Sequence, residues 1–373
     1  MLEDLSSRIC KMIATHKIPF EPMKLRNENN KWIARSALQK AIRRGEVAVA
    51  LKAAGFLYYA DQDYLFNGLA IIAIEDIGMG DFEICTITHQ LLMKTVRKNY
   101  ETLPLISALV NRMCLATKSR AFCEISLGAD LAEYRRLQEL QLMSTNQLVD
   151  LTLAPLEMQE FDMMTLVDSY FGFQTLRGKA YAIRNGRRHK DNDGIDRVYS
   201  KLSKVLTPIQ LEATKECNDR SKDSMGLACG TMAMLYQWMV SNGVDIEVVN
   251  DDLGTTERVY NGLPISCLDM HTHIGKKALK AFHTNLIKKN NKFTFIPRNV
   301  VVNALGSAVF IVEGGQENKR MMNDCLARIK EFQDSNFAAG YGIPVKMIDE
   351  VIESVRANLP LLNSCRRWAM KEG

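Results

Sequence analysis

The sequence lacks the motifs that mark several common classes of protein. No apolar run among its 373 residues reaches the roughly 18 residues that a membrane-spanning helix needs, and no basic-then-apolar signal pattern occurs near residue 1. No run of the form Gly-x-x-x-x-Gly-Lys-Ser/Thr, the phosphate-binding loop of many ATPases, is present. The nearest string, at residues 273–277, has one glycine and no hydroxyl after its lysines. These absences predict a cytoplasmic protein that makes no membrane contact and has no ATPase motor of its own.

The nine cysteines form no Cys-x-x-Cys pair, the spacing typical of zinc and redox sites. They are odd in number and scattered, and most fall within apolar helical patterns, so we expect free buried thiols. No Gly-x-Ser-x-Gly elbow of a serine hydrolase occurs. The sequence therefore implies no cofactor and no metal motif, and we expect no enzyme activity.

Acidic residues are missing from two stretches, although the formal net charge is only +5. The stretches have aromatic residues among their cations, the combination that binds single-stranded nucleic acid by phosphate charge and base stacking. The alternative is that these lysines only form a solvated helix face. The candidate nucleic-acid-binding residues are Lys276, Lys277, Lys280, Lys288, Lys289, Lys292 and Arg298 in the first stretch (270–312), and Arg184, Arg187 and Arg188 in the second (177–190).

Hydrophobic periodicity predicts a mainly α fold. Val47, Leu51, Ala54 and Leu57, for example, recur at intervals of three and four residues, as one face of an amphipathic helix requires. Asp81 is expected to cap a helix that follows it. Strand signals are sparse in the first half. A glycine-bearing basic stretch near residue 175 suggests a boundary between a helical collar-like domain, 1–175, and a mostly helical second domain, 176–373.

The second half gives more mixed signals. Residues 246–249 and 293–296 predict short strands or extended connectors, and residues 300–312 fit either a helix or a strand. Residues 318–335 and 344–358 predict two amphipathic helices.

Three segments between residues 31 and 130 resemble one known family. Ile72-Ala-Ile-Glu-Asp-Ile-Gly-Met-Gly-Asp81 is similar to an Ala-Ser-Glu-Asp-Ile-Gly-Leu-Ala-Asp element in the C-terminal region of the MgsA/RarA replication-associated ATPases, which are clamp-loader relatives. Upstream, Arg44-Gly-Glu-Val-Ala-Val-Ala-Leu51 resembles a helix start of that region, with Asp63 and Phe66 where the family has Asp-Pro-x-Phe. Downstream, Leu115-Ala-Thr-Lys-Ser-Arg120 resembles its Leu-Ala-x-(Ala/Pro)-Lys-Ser-Asn.

The resemblance implies a collar, or oligomerisation region, that is detached from its motor. It implies a homo-oligomer such as a tetramer, DNA as a partner, and a replication or repair protein as a further partner. The expected function is thus that of a non-enzymatic, DNA replication- or repair-associated scaffold, adaptor or decoy. A protein-only inhibitor or structural module is an alternative.

Glu75 and Asp76 are adjacent acids at the C-terminal end of a predicted helix, where the helix dipole disfavours negative charge. Neighbouring residues on a helix point about 100° apart, so the two carboxylates do not converge on one substrate atom. We therefore expect a structural role, with Arg43, Arg44 or Lys118 as the compensating cation. A catalytic site is the alternative.

Asp269, His271 and His273 form the strongest catalytic candidate of the second half. A His-x-His pair on an extended segment, together with an aspartate, could supply three ligands for zinc, manganese or iron. This pattern is the basis of a second alternative function, a metal-dependent hydrolase acting on a nucleotide or nucleic acid. The competing interpretation is that Thr272 or His273 caps a helix that starts near Gly275.

Overall fold

The computed structural model describes residues 3–22, 31–132, 134–184, 193–221, 224–259, 262–290, 298–340 and 347–371. These residues are predominantly helical, which confirms the predicted mainly α fold. In the described part of the chain, no helix combines the length and the apolar character that crossing a membrane requires.

The first half consists of α-helices that are joined by short connections. A π-helical turn at Ala73–Ile77, here the first π turn, continues directly from α4. The helices are α1 (Leu5–His16), α2 (Lys31–Arg43), α3 (Val47–Ala60), α4 (Gln62–Ile72), α5 (Phe82–Gln90), α6 (Lys94–Arg97), α7 (Thr102–Leu115), α8 (Ala121–Ala132), α9 (Tyr134–Leu142), α10 (Thr145–Leu153) and α11 (Met163–Arg184).

The second half adds eight described helices and four short strands. A second π turn at Phe310–Gly314 follows α16. The helices are α12 (Asp193–Leu202), α13 (Pro208–Arg220), α14 (Ala228–Ser241), α15 (His273–Asn290), α16 (Arg298–Val309), α17 (Asp324–Gly340), α18 (Ile348–Ala357) and α19 (Leu359–Lys371). The strands are β1 (Glu247–Asn250), β2 (Arg258–Val259), β3 (Leu263–Pro264) and β4 (Lys319–Met322).

Both sheets are antiparallel pairs. β1 pairs with β4, with Glu247 opposite Met322 and Asn250 opposite Lys319, while β2 pairs with β3. The predicted strand at 246–249 is thus confirmed within one residue. The helix predicted over 318–335 is wrong in its first part, because residues 319–322 pair with β1 and α17 begins only at Asp324. The second predicted strand, at 293–296, lies outside the described residues.

Local signals in the sequence explain several helix ends. Asp81 caps α5 as predicted, because its Oδ1 accepts a hydrogen bond from the backbone N–H of Ile84 at 3.1 Å. Ser144 and Gln147 form a reciprocal capping box at the start of α10. Residues 300–312, which fit helix or strand by pattern, are helical because α16 and the second π turn span them.

Two hydrophobic clusters form the core. The larger cluster runs from Ile9 to Leu268 and also includes Cys325, Leu326 and Ile329. The smaller cluster is built by α15, α16, α18 and α19, with Phe282 and Leu305 among its fully buried residues. The domain boundary near residue 175 stays a prediction, because hydrophobic clusters among the described residues do not by themselves define domains.

Helix α11 explains why the larger cluster continues past residue 175. The helix runs through that position, and both Phe173 and Leu176 are buried in the larger cluster. Residues 177–184 of the basic stretch belong to this helix. The nine cysteines are free thiols, and all except Cys10 are buried, which confirms that prediction.

Gly78 is the residue that ends the first π turn. Its φ of 49° lies in the left-handed region, and a Cβ placed there would be 2.7 Å from the carbonyl oxygen of Ser119. The close approach matters because the backbone N–H of Ser119 donates a hydrogen bond to the carbonyl oxygen of Asp76 at 3.1 Å. Gly78 thus allows the first π turn to lie directly against the start of α8.

We predict that Gly78→Ala lowers the free energy of unfolding by about 1–3 kcal/mol, because alanine is strained at this φ and its methyl group meets a backbone oxygen. Gly178→Ala is the matched control. Gly178 lies on the exposed side of α11 with open space around it, so alanine should stabilise the helix by about 0.5–1 kcal/mol. Chemical denaturation of both variants measures the difference. Equal effects of the two substitutions would contradict the prediction.

Candidate functional site

The two π turns meet in space, although about 240 residues separate them in sequence. Arg43 of α2 joins them. Its Nε donates a hydrogen bond to Asp76 Oδ1 of the first π turn, and its Nη1 donates one to the carbonyl oxygen of Gly314 in the second at 2.7 Å. Isolated π turns in proteins are frequently found at functional sites. We therefore take this junction as the starting point of the candidate site.

Asp76 lies at the centre of the junction and is completely buried. Besides Arg43, it accepts a hydrogen bond from Gln39 Nε2 at 3.0 Å and lies 3.7 Å from Nε of Arg120. Burial raises the pKa of the Asp76 carboxyl, and the Arg43 guanidinium opposes that shift. An ion pair buried in this way stays favourable only when hydrogen bonds satisfy its remaining polar atoms, as Gln39 does here.

Glu75 shares both Gln39 and Arg43 with its neighbour Asp76. Its Oε2 accepts a hydrogen bond from Gln39 at 2.8 Å, and its Oε1 lies 3.3 Å from Nη2 of Arg43. The Glu75 side chain nevertheless keeps 18% of its surface exposed and lines a cavity. The expectation that the two carboxylates do not converge on one atom is therefore wrong, because Gln39 Nε2 lies within hydrogen-bond distance of both. The two acids differ in exposure, since Asp76 is completely buried and Glu75 is not.

The guanidinium groups of Arg43 and Arg120 both contact the ring of Phe310 in the second π turn. The distances from the guanidinium carbons to the ring centroid are 4.8 Å and 4.5 Å, respectively. A guanidinium over a ring face is attracted by the ring quadrupole, and more strongly when water is excluded. Phe310 thus holds both arginines on the side of the junction that faces the cavity.

Of the three cations proposed as partners of Glu75 and Asp76, only Arg43 is correct. Arg44 instead pairs with Glu46 at 2.8 Å and donates hydrogen bonds to two backbone carbonyls, those of residues 253 and 254. Lys118 is buried, and its Nζ donates to the carbonyl oxygens of Cys114 and Ala116. Burial lowers the pKa of Lys118 to about 8.

Arg120 is a partner of Asp76 that the sequence analysis missed. The residue stands at the end of the Leu115–Arg120 segment, two positions after Lys118, and only the turn into α8 directs it toward the junction. No periodic pattern marks it. The sequence signal that could have identified Arg120 was its position in the Leu115–Arg120 segment, which resembles a family motif.

A cavity of about 660 Å³ opens beside the junction. This volume is within the range of small-molecule sites in proteins. Its wall includes Glu75, Arg120, Glu124 and Phe310, and Glu317 from the segment that leads to β4. The lining residues come from elements of both hydrophobic clusters, so the cavity lies where the clusters meet.

The proposed metal ligands are not arranged as a metal site. The Asp269 carboxylate forms an ion pair with Lys40 and accepts a hydrogen bond from Ser36 Oγ at 2.7 Å, and these contacts lower its pKa against the effect of burial. Both His271 and His273 are exposed. Within the described ranges, no group of three or more His, Cys, Asp or Glu side chains is placed to hold a metal ion.

Thr272 gives the Asp269–Gly275 segment a structural role at the start of α15. Its Oγ1 accepts a hydrogen bond from the backbone N–H of Gly275 at 3.0 Å, which caps the first turn of α15. Its hydroxyl also donates to the carbonyl oxygen of Asp269. Of the two interpretations of this segment, the helix cap is the one that the geometry bears out.

Four of the five lysines of α15 lie on one side of the helix, and Lys289 falls outside that sector. Lys276, Lys280 and Lys288 are exposed, and at 3.6 residues per turn they fall within a sector of about 120°. Lys277, at the edge of this sector, places its Nζ 5.1 Å from the ring centroid of Trp368 in α19. The Trp368 side chain is itself 46% exposed. We call Lys276, Lys280, Lys288 and Trp368 the basic face.

The other six candidate cations are not part of the basic face. Lys289, Arg298 and Arg184 belong to α15, α16 and α11, whereas Lys292, Arg187 and Arg188 lie outside the described residues.

No protein-family model, curated protein or solved structure matches this chain. The resemblance to the MgsA/RarA C-terminal region therefore stays a prediction from its three segments.

We predict that Asp76→Asn lowers the free energy of unfolding by about 3–5 kcal/mol, because it removes the fully buried carboxylate beside Arg43 and Arg120 and leaves Arg43 only the partly exposed Glu75 as an anionic partner. Glu75→Gln should cost about 1 kcal/mol or less, since its carboxylate is partly solvated. Asp150→Asn, at an exposed ion pair with Lys201, is the control and should have almost no effect. Denaturant midpoints and melting temperatures measure the series. If Asp76→Asn were as stable as the control, the junction would not be the structural centre described here.

Proposed function

We propose that this protein is a non-enzymatic, oligomeric DNA-binding factor of replication or repair, and that the basic face is its contact surface. The observation that carries the proposal is the exposed Trp368 ring beside Lys277, between two helices without acidic residues. Neither α15 nor α19 contains an Asp or Glu, and the two helices pack against each other. Exposed aromatic rings among cations are the elements that bind single-stranded nucleic acid.

Two further arginines of α19 add little free charge to this surface. Arg366 is buried and lies 2.9 Å from Glu313 of the second π turn, and Arg367 donates two hydrogen bonds to Glu257. The positive charge available to a phosphate backbone therefore comes mainly from the lysines of α15. This distribution supports a backbone-tracking surface with one stacking position, and it provides no set of side chains for reading base edges.

We predict that changing Lys276, Lys280 and Lys288 together to Gln weakens binding of a single-stranded oligonucleotide. Each phosphate contact that is lost should also flatten the log–log salt dependence by about 0.7. Fluorescence anisotropy between ~50 and ~200 mM salt measures both effects. A variant with Lys11, Lys98 and Lys204 changed to Gln is the matched control, because it removes the same charge from exposed lysines elsewhere.

Three outcomes of this experiment decide between the alternatives. Equal loss in the two triple variants would mean that net charge matters and the basic face does not. A Trp368→Ala variant that loses more affinity for single strands than for duplex would support base stacking on this ring. Wild-type protein that binds neither form at ~50 mM salt would overturn the proposal in favour of a protein-only adaptor or inhibitor.

Self-association is the second part of the proposal. The segment that resembles an oligomerisation region exposes two large aromatic side chains, Trp32 at 57% and Tyr59 at 49%. The ring of Trp32 packs edge-on against Tyr64 with the centroids 5.5 Å apart, so its exposed surface is held in a fixed orientation. Fixed, exposed aromatic groups are typical of protein interfaces.

We predict that the full chain forms a homo-oligomer at tens of micromolar, and that Trp32→Ala combined with Tyr59→Ala shifts it toward monomer. Light scattering coupled to gel filtration measures the molar mass. Leu142→Ala is the control, because it removes an apolar side chain outside residues 31–130 that is even more exposed, at 89%. A wild-type mass equal to the 42.2 kDa of one chain would contradict the prediction.

A further inference from the structure

Two carboxyl groups in the cavity have no partner of their own. Glu124, on α8, and Glu317, between the second π turn and β4, both line it. Oε1 of Glu317 is buried and accepts no hydrogen bond. Among the described residues, neither carboxyl group forms an ion pair or a hydrogen bond. Buried acids are normally paired, so an unpaired carboxyl in a cavity suggests a missing partner.

The cations near the cavity are already engaged elsewhere. Arg120 contacts Phe310 and Asp76, and it donates a hydrogen bond to the sulfur of Cys123 at 3.5 Å. Arg43 is held by the two π turns.

Cations at the edge of the cavity are paired as well. Arg320 donates to Asp251 at 3.0 Å, and Lys330 donates to Asp334 at 2.8 Å. Arg356 forms an ion pair with Glu353. Each of these pairs is at least partly exposed. Burial raises the pKa of Glu124, and the charges of Arg120 and Lys330 oppose that shift without forming an ion pair with Glu124.

The electrostatics agree with an excess of carboxyl groups. Burial raises the pKa of Glu317 to about 7, Arg120 opposes that shift, and Glu124 reinforces it. Burial also raises the pKa of Glu124. The charged groups that act on Glu317 are Arg120 just before α8, Glu124 of α8, Asp76 of the first π turn and Arg43 of α2. Glu317 in turn raises the pKa of Lys118, against the effect of burial.

We propose that the cavity binds a small organic cation with at least two primary ammonium groups, which form ion pairs with Glu124 and Glu317. The apolar part of the wall, which includes Met225, Phe310 and Ile311, suits the methylene chain between such groups. A metal ion fits less well. The cavity is far larger than an ion, and the described residues provide no cluster of three ligands. This site is separate from the basic face.

The experiment titrates the full chain with spermidine at pH 7 and low salt, by calorimetry in two buffers of different ionisation enthalpy. We expect saturable 1:1 binding. We also expect the release of about half a proton per ligand, because an ammonium group favours the ionised form of a carboxyl that is half protonated near pH 7. The release should disappear by about pH 8.5, where Glu317 is ionised before the ligand binds.

Conservative variants test the two carboxyl groups separately. Glu124→Gln and Glu317→Gln should each weaken spermidine binding about tenfold or more, and Glu317→Gln should also remove the proton release. Neither variant should lower the melting temperature of the unliganded protein, because among the described residues neither carboxyl group has an ion pair or hydrogen bond that the substitution would break. Glu160→Gln is the control, an exposed acid that does not line the cavity, and it should bind spermidine as wild type does.

Several results would overturn this inference. One is the absence of saturable heat up to millimolar spermidine. Another is binding that Glu124→Gln and Glu317→Gln leave as strong as in the Glu160→Gln control, which would place the ligand on surface acids. Magnesium chloride that displaces spermidine at equal or lower concentration would replace the organic cation with a metal ion. Lys276, Lys280 and Lys288 do not line the cavity, so changing them to Gln should leave spermidine binding unchanged. The DNA-binding proposal and the spermidine proposal can therefore fail independently.

Discussion

The buried ion pair between Arg43 and Asp76 is the interaction on which the rest of the structure depends. A charge removed from water is tolerated only beside its counter-charge and with its remaining polar atoms bonded. Arg43 meets this condition by binding the Asp76 carboxylate and the carbonyl of Gly314 together. Arg43 lies on α2, whose apolar residues belong to the larger hydrophobic cluster, whereas Gly314 ends the second π turn, which follows α16 of the smaller cluster. The pair therefore fixes how the two clusters meet.

The cavity and the basic face both follow from that arrangement. The cavity occupies the space that the two clusters leave beside the π turns, which direct Glu75 and Phe310 toward it. The basic face belongs to α15 and α19 of the smaller cluster, and Arg366 of α19 contacts Glu313 in the second π turn. A substitution at the junction is therefore expected to alter both the cavity and the basic face, because the helices of the smaller cluster pack as one bundle.

Asp269 illustrates how a tertiary contact changes the meaning of a short motif. In the sequence it stands next to two histidines and resembles a ligand set. In the folded chain, Lys40 and Ser36 of α2 bind its carboxylate, although more than 200 residues separate them from it. The carboxylate is thereby used to dock the segment before α15 onto the larger cluster, and the histidines remain in solvent.

The sequence by itself determined the properties that arise within a few residues of one another. Periodicity predicted the helical class, Asp81 was expected to cap α5, Thr272 was one of two candidate caps for α15, and Arg43 was one of three cations expected beside Glu75 and Asp76. Only the tertiary structure decided which groups meet: Arg43 and Arg120 at Asp76, Trp368 at Lys277, and, among the described residues, the carboxyl groups of Glu124 and Glu317 beside one cavity. The physical reason is the distance along the chain between the groups that interact. Helix caps and amphipathic faces depend on fixed spacings along the chain, whereas ion pairs and cavities depend on which helices pack together.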